Sequence, residues 1–283
     1  MALINDNLTF LKGKNGRLEM TICIAVKVGE GLILAADSTT TIQDAKGGVI
    51  KTYDYASKVA QIRDYPIGVF SWGVGGLGAR STQSLVMEFE HDLPSAESAK
   101  DFKVKGIADQ FFEFFKQRYY AQPTPQKGDR PLLGLFVGGY SAGGFFPEEY
   151  WFELPKHTNV EVRRPDNPDG SPNFGADWFG QTDAISRLIH GYDDGFIREL
   201  INQGLDKAVI DQIVSAHKFE YPIVFNAMPL QDAIDLVVYL AQLTIGRFRF
   251  VAGVPVCGGE IDVAVITPGK FDWSHRKQWR LKD

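Results

Sequence analysis

The sequence predicts an α+β fold in which two β-sheets pack together and the helices lie outside them. The prediction rests first on order. Short β-rich runs and helix-periodic segments come in blocks, as strands, helices, strands, helices and a last strand. It rests second on two helical segments that follow each other directly, because this excludes a simple βαβ alternation. No fixed-period repeat and no Ser/Pro-rich linker divides the 283 residues, so we expect a single domain.

The first block begins with a hairpin. Residues 22–28 and 32–35 are short β-rich runs, and Gly29-Glu30-Gly31 between them has the length of a tight turn. Further strands are predicted at residues 48–53, 58–62 and 66–72. Apolar residues then recur at helical spacing in two successive segments, residues 75–92 and 101–119.

The rest of the chain begins with a second hairpin, predicted from strands at residues 132–139 and 145–153. Another strand is predicted near residues 158–163. Residues 164–177 are rich in Pro, Asp, Asn and Gly, which predicts an exposed loop. Helices are then expected at residues 181–190, 193–203, 206–217 and 229–246, before a closing strand at 260–267.

The composition excludes several classes of protein. Hydrophobic residues make up 44% of the chain and charged residues 23%, as in ordinary globular proteins. The net charge of −5 includes no basic block, which speaks against a nucleic-acid partner. No apolar run approaches the roughly 18 residues that a membrane span needs, and the first 20 residues lack the apolar run of a signal peptide. We therefore expect a cytoplasmic protein without a membrane partner.

No cofactor or metal is expected. Cys23 and Cys257 are too few for a disulfide framework or a cysteine metal site. Residues 73–78 satisfy G-x-G-x-x-G, but residues 93–100 lead into another helix where a dinucleotide-binding unit needs a second strand. The histidines show no metal-like pairing, and there are five of them: His91, His157, His190, His217 and His275.

The sharpest signal is a set of four blocks along the chain. Residues 21–38 read TICIAVKVGEGLILAADS, which is a threonine, a strand, a Gly-rich turn, a second strand and Ala-Ala-Asp-Ser. The other blocks are SKVAQI at 57–62, GVFSWGVG at 68–75 and GGEIDVAVI at 258–266. In this order the blocks resemble a mature proteasome β-type subunit, a member of the N-terminal nucleophile hydrolases. Residues 100–180 are only loosely comparable, and we interpret the region around 140–178 as an insertion.

The resemblance implies a four-layer αββα sandwich and a threonine nucleophile. If Thr21 is the first residue of the chain, its α-amino group, with a pKa of about 7.7–8.0, can accept the proton of its own hydroxyl. Lys58 would lower the pKa of both groups, and Asp37 would orient the lysine. A backbone N–H near Gly73 would hold the oxyanion. Taken singly, Thr21, Asp37 and Lys58 also fit a strand edge, a turn and a solvated charge; their order and spacing favour a site.

The same resemblance assigns Thr41 and Phe70 to substrate binding. It also shows departures from the family pattern. The serine of the family's supporting turn is missing near Gln181, and its later Asp and Ser fall on Val254 and Cys257. The hypothesis is that Gln181 and Cys257 act as replacement polar neighbours of Thr21.

The N-terminal 20 residues are a further departure. The family's propeptides end in glycine, which autolysis uses, whereas Met20 precedes Thr21 here. Residues 1–20 are interpreted as an N-terminal extension, either a propeptide or the result of a mis-assigned start. Translation from Met20, followed by removal of that methionine, would expose Thr21 directly. Residues 21–283 then form the hydrolase domain.

These observations predict a threonine-type peptidase that cleaves peptide bonds of peptides or unfolded proteins. The resemblance further implies a homo-oligomeric ring, for which the aromatic helix 101–120 is the predicted contact surface; an ATPase partner is left open. Two alternatives remain. One is an N-terminal nucleophile amidase acting on a small amide, and the other is a catalytically inactive scaffold that keeps residues 1–20.

Overall fold

The computed structural model describes residues 21–43, 49–124, 130–216, 219–252 and 255–278. Two five-stranded antiparallel sheets form its centre. The first has the spatial order β12 (Gly175–Gly180), β1 (Ile22–Val28), β2 (Gly31–Ala36), β13 (Asp262–Thr267) and β14 (Lys270–His275). The second has the order β11 (Glu161–Val162), β10 (Glu148–Leu154), β9 (Leu133–Gly139), β6 (Ile67–Gly73) and β5 (Val59–Gln61).

Two small hairpins and six helices complete the described residues. The hairpins pair β3 (Thr40–Gln43) with β4 (Val49–Tyr53), and β7 (Gly76–Leu77) with β8 (Arg80–Ser81). The helices are α1 (Thr82–His91), α2 (Val104–Ala121), α3 (Asp183–His190), α4 (Asp194–Asn202), α5 (Lys207–Ser215) and α6 (Leu230–Arg247). Helices together with antiparallel sheets confirm the predicted α+β class.

The strand β1 shows why the sheets lie in the interior. All seven of its residues are buried, which requires cover on both faces. Successive side chains of a strand point to opposite faces. Accordingly, Ile22, Ile24 and Val26 pack in a cluster with α3 and α6, whereas Cys23 and Ala25 pack in a cluster shared with the second sheet.

A third hydrophobic cluster covers the other face of the second sheet. It is formed by α1, α2 and strands of that sheet, and Phe111 and Phe115 of α2 are fully buried in it. The packing order along the molecule is therefore α1 and α2, second sheet, first sheet, and α3 with α6.

The aromatic face of α2 corrects the predicted contact surface. Four of its aromatic side chains are buried in the protein's own core: Phe111, Phe112, Phe115 and Tyr119. Only Tyr120 of the series is exposed. This face therefore fills the core and cannot serve as the predicted interface between subunits.

Some boundaries of helices and strands differ from those that the local sequence pattern predicts. The helix predicted at 75–92 begins only at Thr82, because residues 76–81 form the hairpin β7–β8 and the Ser81 hydroxyl caps α1 by accepting from the Ser84 N–H. The predicted loop 164–177 ends early, since β12 begins at Gly175 and pairs with β1. The strands β3 and β14 were not predicted. Among the described residues, no helix is long and apolar enough to cross a membrane.

Candidate active site around Thr21

Asp37 is the fixed centre of the site. It follows β2 directly, and its N–H donates to the Ile22 carbonyl at 3.2 Å. Its side chain is fully buried, and Oδ1 accepts the N–H of Ile22 at 3.1 Å. Oδ2 accepts the N–H groups of Thr39 at 3.2 Å and Gly258 at 3.0 Å. Three backbone N–H groups thus fix the orientation of the Asp37 carboxylate.

Lys58 completes an ion pair with Asp37. Its Nζ lies 2.6 Å from Asp37 Oδ1, and the two side chains are 8% and 0% exposed. Lys58 immediately precedes β5 of the second sheet, whereas Asp37 follows β2 of the first, so the pair joins the two sheets. Backbone hydrogen bonds to the carboxylate offset part of the cost of removing two charges from water.

Thr21 directly precedes Ile22, the residue whose N–H binds the Asp37 carboxylate. It is buried and precedes β1, and Asp37 Oδ1 accepts the N–H of the next residue, Ile22. On the other side, the Thr21 carbonyl accepts the N–H of Gln181 at 2.7 Å. The strand register places Gly180 opposite Ile22. A Cβ at Gly180, whose φ is +84°, would clash with the Thr21 carbonyl oxygen, so a glycine is required for this close approach.

Gly73 lies at the end of β6 and also depends on being glycine. Its φ is +85°, and a Cβ there would clash with the carbonyl oxygen of Leu132. The N–H of the next residue, Val74, donates to that same carbonyl at 2.9 Å. The backbone therefore turns sharply where the oxyanion donor is expected, and the oxyanion role of Gly73 stays a prediction.

Cys257 is brought to the site and Cys23 lies beside it. Cys257 is buried next to Gly258, whose N–H binds Asp37. Burial raises the pKa of the Cys257 thiol, and the Asp37 charge raises it further. Burial likewise raises the pKa of Cys23, whose thiol donates to the Ser71 carbonyl at 3.4 Å. Both residues are therefore neutral thiols, suited to packing and weak hydrogen bonding rather than to nucleophilic attack.

The two predicted substrate-binding residues occupy different environments. Thr41 on β3 is buried, and its hydroxyl has no hydrogen-bond partner among the described residues. Phe70 is only 1% exposed and stacks on Phe136 with ring centroids 4.6 Å apart, inside the cluster between the sheets. Its side chain is thus a core contact, and its contribution to a substrate pocket stays a prediction.

The loop before β13 holds the Asp37 turn in a way that the sequence did not indicate. The N–H groups of Ser38 and Thr39 donate to the Gly258 carbonyl at 3.0 and 3.1 Å. The Ser38 hydroxyl donates to the Glu260 carbonyl. The residues Ala-Ala-Asp-Ser and Gly-Gly-Glu stood out as separate blocks, but no local signal pairs segments more than 200 residues apart.

The part of the chain that the structure describes contains no ligand set of a metal site. Among the described residues, no group of three or more His, Cys, Asp or Glu could hold a metal ion. No protein-family model matches this chain, and no curated protein matches it either.

Proposed function

We propose that the chain is an N-terminal-threonine hydrolase of the proteasome β type, acting as a peptidase on peptides or unfolded proteins. One observation carries the proposal. A single carboxylate oxygen, Asp37 Oδ1, accepts both the N–H that follows Thr21 and the ammonium of Lys58. The Lys58 ammonium and the peptide N–H that follows Thr21 thereby share one acceptor. A cation held near the Thr21 hydroxyl or amine would lower the pKa of that group.

The reaction would use Thr21 for two roles. With Thr21 as the first residue, its neutral α-amine takes the proton of the hydroxyl as Oγ1 attacks the substrate carbonyl. A backbone N–H near Gly73 donates to the oxyanion. Collapse of the intermediate breaks the peptide bond, and the α-ammonium returns its proton to the leaving amine. Water then hydrolyses the Thr21 ester by the same proton transfers.

The order in which helices and sheets pack supports the proposal that the fold is a four-layer αββα sandwich. Helices α1 and α2 cover the outer face of the second sheet, and α3 and α6 cover the outer face of the first. The N–H of Ile22, the first residue of β1, and the ammonium of Lys58, which precedes β5 of the other sheet, both reach Asp37, as expected of a site at one end of such a sandwich.

The test begins with the N-terminus. Intact mass and N-terminal sequencing of the protein made from its native gene should show a chain that begins at Thr21. That chain should hydrolyse fluorogenic peptides, the Thr21→Ala variant should be inactive, and the Thr21→Ser variant should retain activity. A chain that keeps residues 1–20 would overturn the proposal in favour of an inactive scaffold. A processed chain that cleaves only small amides would favour the amidase.

A further inference from the structure

A second buried charge cluster lies at the other end of β1. Lys27, Glu149 and Asp177 are 2%, 1% and 4% exposed. Lys27 is on the face of β1 that carries Cys23 and Ala25, so it points between the sheets. Lys27 is six positions along the strand from Thr21, a distance of about 20 Å. The cluster is therefore distinct from the candidate active site.

Two arginines join this cluster to the edges of both sheets. Arg163 Nε donates to Asp177 Oδ1 at 2.7 Å, and Arg164 Nε donates to Asp177 Oδ2 at 2.6 Å. Asp177 belongs to β12, the edge strand of the first sheet, whereas the arginines follow β11, the edge strand of the second. Arg164 also donates to the Ala176 carbonyl. The arginines thus tie one edge strand to the other.

Glu149, unlike Asp177, accepts no hydrogen bond from either arginine. Neither of its carboxyl oxygens has a hydrogen-bond partner among the described residues, and the Arg164 Nε lies 3.9 Å from Oε2. Burial raises the pKa of Glu149 to about 8, and the nearby Asp177 charge raises it while Arg164, Lys27 and Arg163 oppose the rise. The raised pKa favours the neutral form of Glu149, and the Arg164 Nε lies on Asp177 instead.

The remaining charges face Lys27. Burial lowers the pKa of Lys27, and the charges of Glu149, Asp166 and Glu148 partly counteract this while Arg164 adds to it. Glu148, next to Glu149 on β10, accepts hydrogen bonds from the hydroxyls of Ser141 and Tyr150.

We propose that Lys27, Glu149, Asp177, Arg163 and Arg164 form a proton-sensitive latch, in which neutral Glu149 leaves both arginines on Asp177 and holds β12 against the second sheet. Loss of the Glu149 proton buries a second anion beside Asp177, and the two carboxylates then compete for Arg164. This proposal does not depend on whether Thr21 is a nucleophile. It also bears on that site, because β12 leads directly into Gln181, which binds the Thr21 carbonyl.

The sign of the pH dependence follows from linkage. The pKa of Glu149 rises from 4.5 to about 8 in the folded protein, so opening the latch releases a proton between these values. The contribution of Glu149 is complete below 4.5 and is lost as the pH rises towards 8. Lys27 has the opposite sign: its pKa is lowered from 10.5, so opening takes up a proton, and its contribution increases with pH below that value.

Hydrogen exchange of the full chain tests the latch. The amides of β12 are followed by mass spectrometry between about pH 5.5 and 8, with rates corrected for the intrinsic pH dependence of exchange. We expect the opening constant of β12 to rise with pH, by up to about tenfold per pH unit. Glu149→Gln should remove this rise. The control Glu161→Gln, an exposed glutamate on neighbouring β11, should behave as the unsubstituted protein.

A direct titration keeps the proposal testable if Glu149→Gln does not fold. Carbon-13 NMR of the unsubstituted protein should show the Glu149 carboxyl titrating well above its ordinary range. Titration near pH 4.5 would overturn the proposal. An unchanged pH slope of β12 opening in a folded Glu149→Gln variant would overturn it equally.

Discussion

Asp37 organises the residues around Thr21 because its carboxylate has more partners than any substitute can satisfy. It accepts from three backbone N–H groups and from Lys58. We expect Asp37→Asn to destabilise the fold by roughly 3–5 kcal/mol, because the change leaves the Lys58 ammonium buried without an anion and sets an amide NH₂ against backbone donors. Chemical denaturation measures this free energy.

The control for this substitution is Asp54→Asn. Asp54 is exposed, and among the described residues its side chain accepts a single 3.3 Å bond, from the Thr39 hydroxyl. Its loss should change the unfolding free energy by less than about 0.5 kcal/mol. Equal effects of the two substitutions would show that the Asp37–Lys58 pair is not held as described.

Gly180 permits the approach of β12 to Thr21, and the chain contains a matched comparison. Gly180 and Gly204 share a φ of +84°, but only at Gly180 would a Cβ meet the Thr21 carbonyl oxygen; at Gly204 nothing lies within 4 Å. Gly204→Ala should cost about 1 kcal/mol of stability from backbone strain alone. Gly180→Ala should cost more and should also abolish hydrolysis of a peptide reporter, because Thr21 must shift.

The two readouts separate the effects. Denaturation reports the strain in both variants, and the reporter assay reports the position of Thr21. If Gly180→Ala retains full hydrolysis while losing stability, the contact with Thr21 is structural only.

At the candidate site, the sequence predicted individual residues where the family resemblance assigned them a role. The pairing of Asp37 with Lys58 was expected, and the structure places them in contact. The roles of Gly180 and Gly258 were not expected, because a glycine needed for close approach and an N–H donor leave no side-chain signal. Phe70 was expected near substrate from a count along β6, and such a count cannot tell which contacts bury a ring.

At the scale of elements, helix α2 begins without a side-chain cap of its own. Its N-cap residue is Lys103, and the first helical N–H, of Val104, donates instead to the Ser141 hydroxyl at 3.0 Å. Ser141 lies in the turn that joins β9 to β10, so the cap also fastens the helix to the second sheet. Ser141→Ala should destabilise the protein by roughly 0.5–2 kcal/mol, as loss of an N-cap does.

Thermal or chemical denaturation measures the effect of Ser141→Ala. Ser98→Ala is the control, since Ser98 is exposed and, within the part of the chain that the structure describes, bonds only with nearby Ser95. An unfolding free energy that is unchanged by Ser141→Ala would mean that water replaces the cap.

Strands and helices were predictable where their burial requires a strong local pattern of apolar residues. The hairpin β1–β2 consists of fully buried apolar strands around a short turn, and the long helices α2 and α6 repeat apolar residues at helical spacing. The strand β12 was missed because its first residues, Gly-Ala-Asp, are poor strand formers that follow a turn-rich segment. Pairing with β1 overrides that local preference.

At the scale of the whole molecule, the class was predictable from the order of segments, whereas the meeting of distant segments was expected only through the family resemblance, which set Cys257 near Thr21. The order of blocks predicted antiparallel sheets with helices outside, because successive helices cannot serve as βαβ crossovers. The candidate site, by contrast, depends on a contact between Asp37 and Gly258, which are 221 residues apart. Only the stacking of the two sheets brings such segments together, and no periodicity within one segment encodes it.

The exposed apolar face of α4 and α5 makes the final prediction, that of self-association. No residue of α4 is buried, and Phe196, Val209 and Ile213 on these helices are about half exposed. Helices α4 and α5 contact each other, and exposed apolar side chains gathered on neighbouring helices are typical of an interaction surface. We expect the protein to sediment as a homo-oligomer at micromolar concentration, as the proposed ring requires. The double variant Phe196→Asp/Ile213→Asp should shift it towards the monomer.

The control is Phe145→Asp, which changes an 84% exposed aromatic residue in the β9–β10 turn and should leave sedimentation unchanged. A single monomeric species of the unsubstituted protein would remove assembly through α4 and α5, and with it the proposed ring.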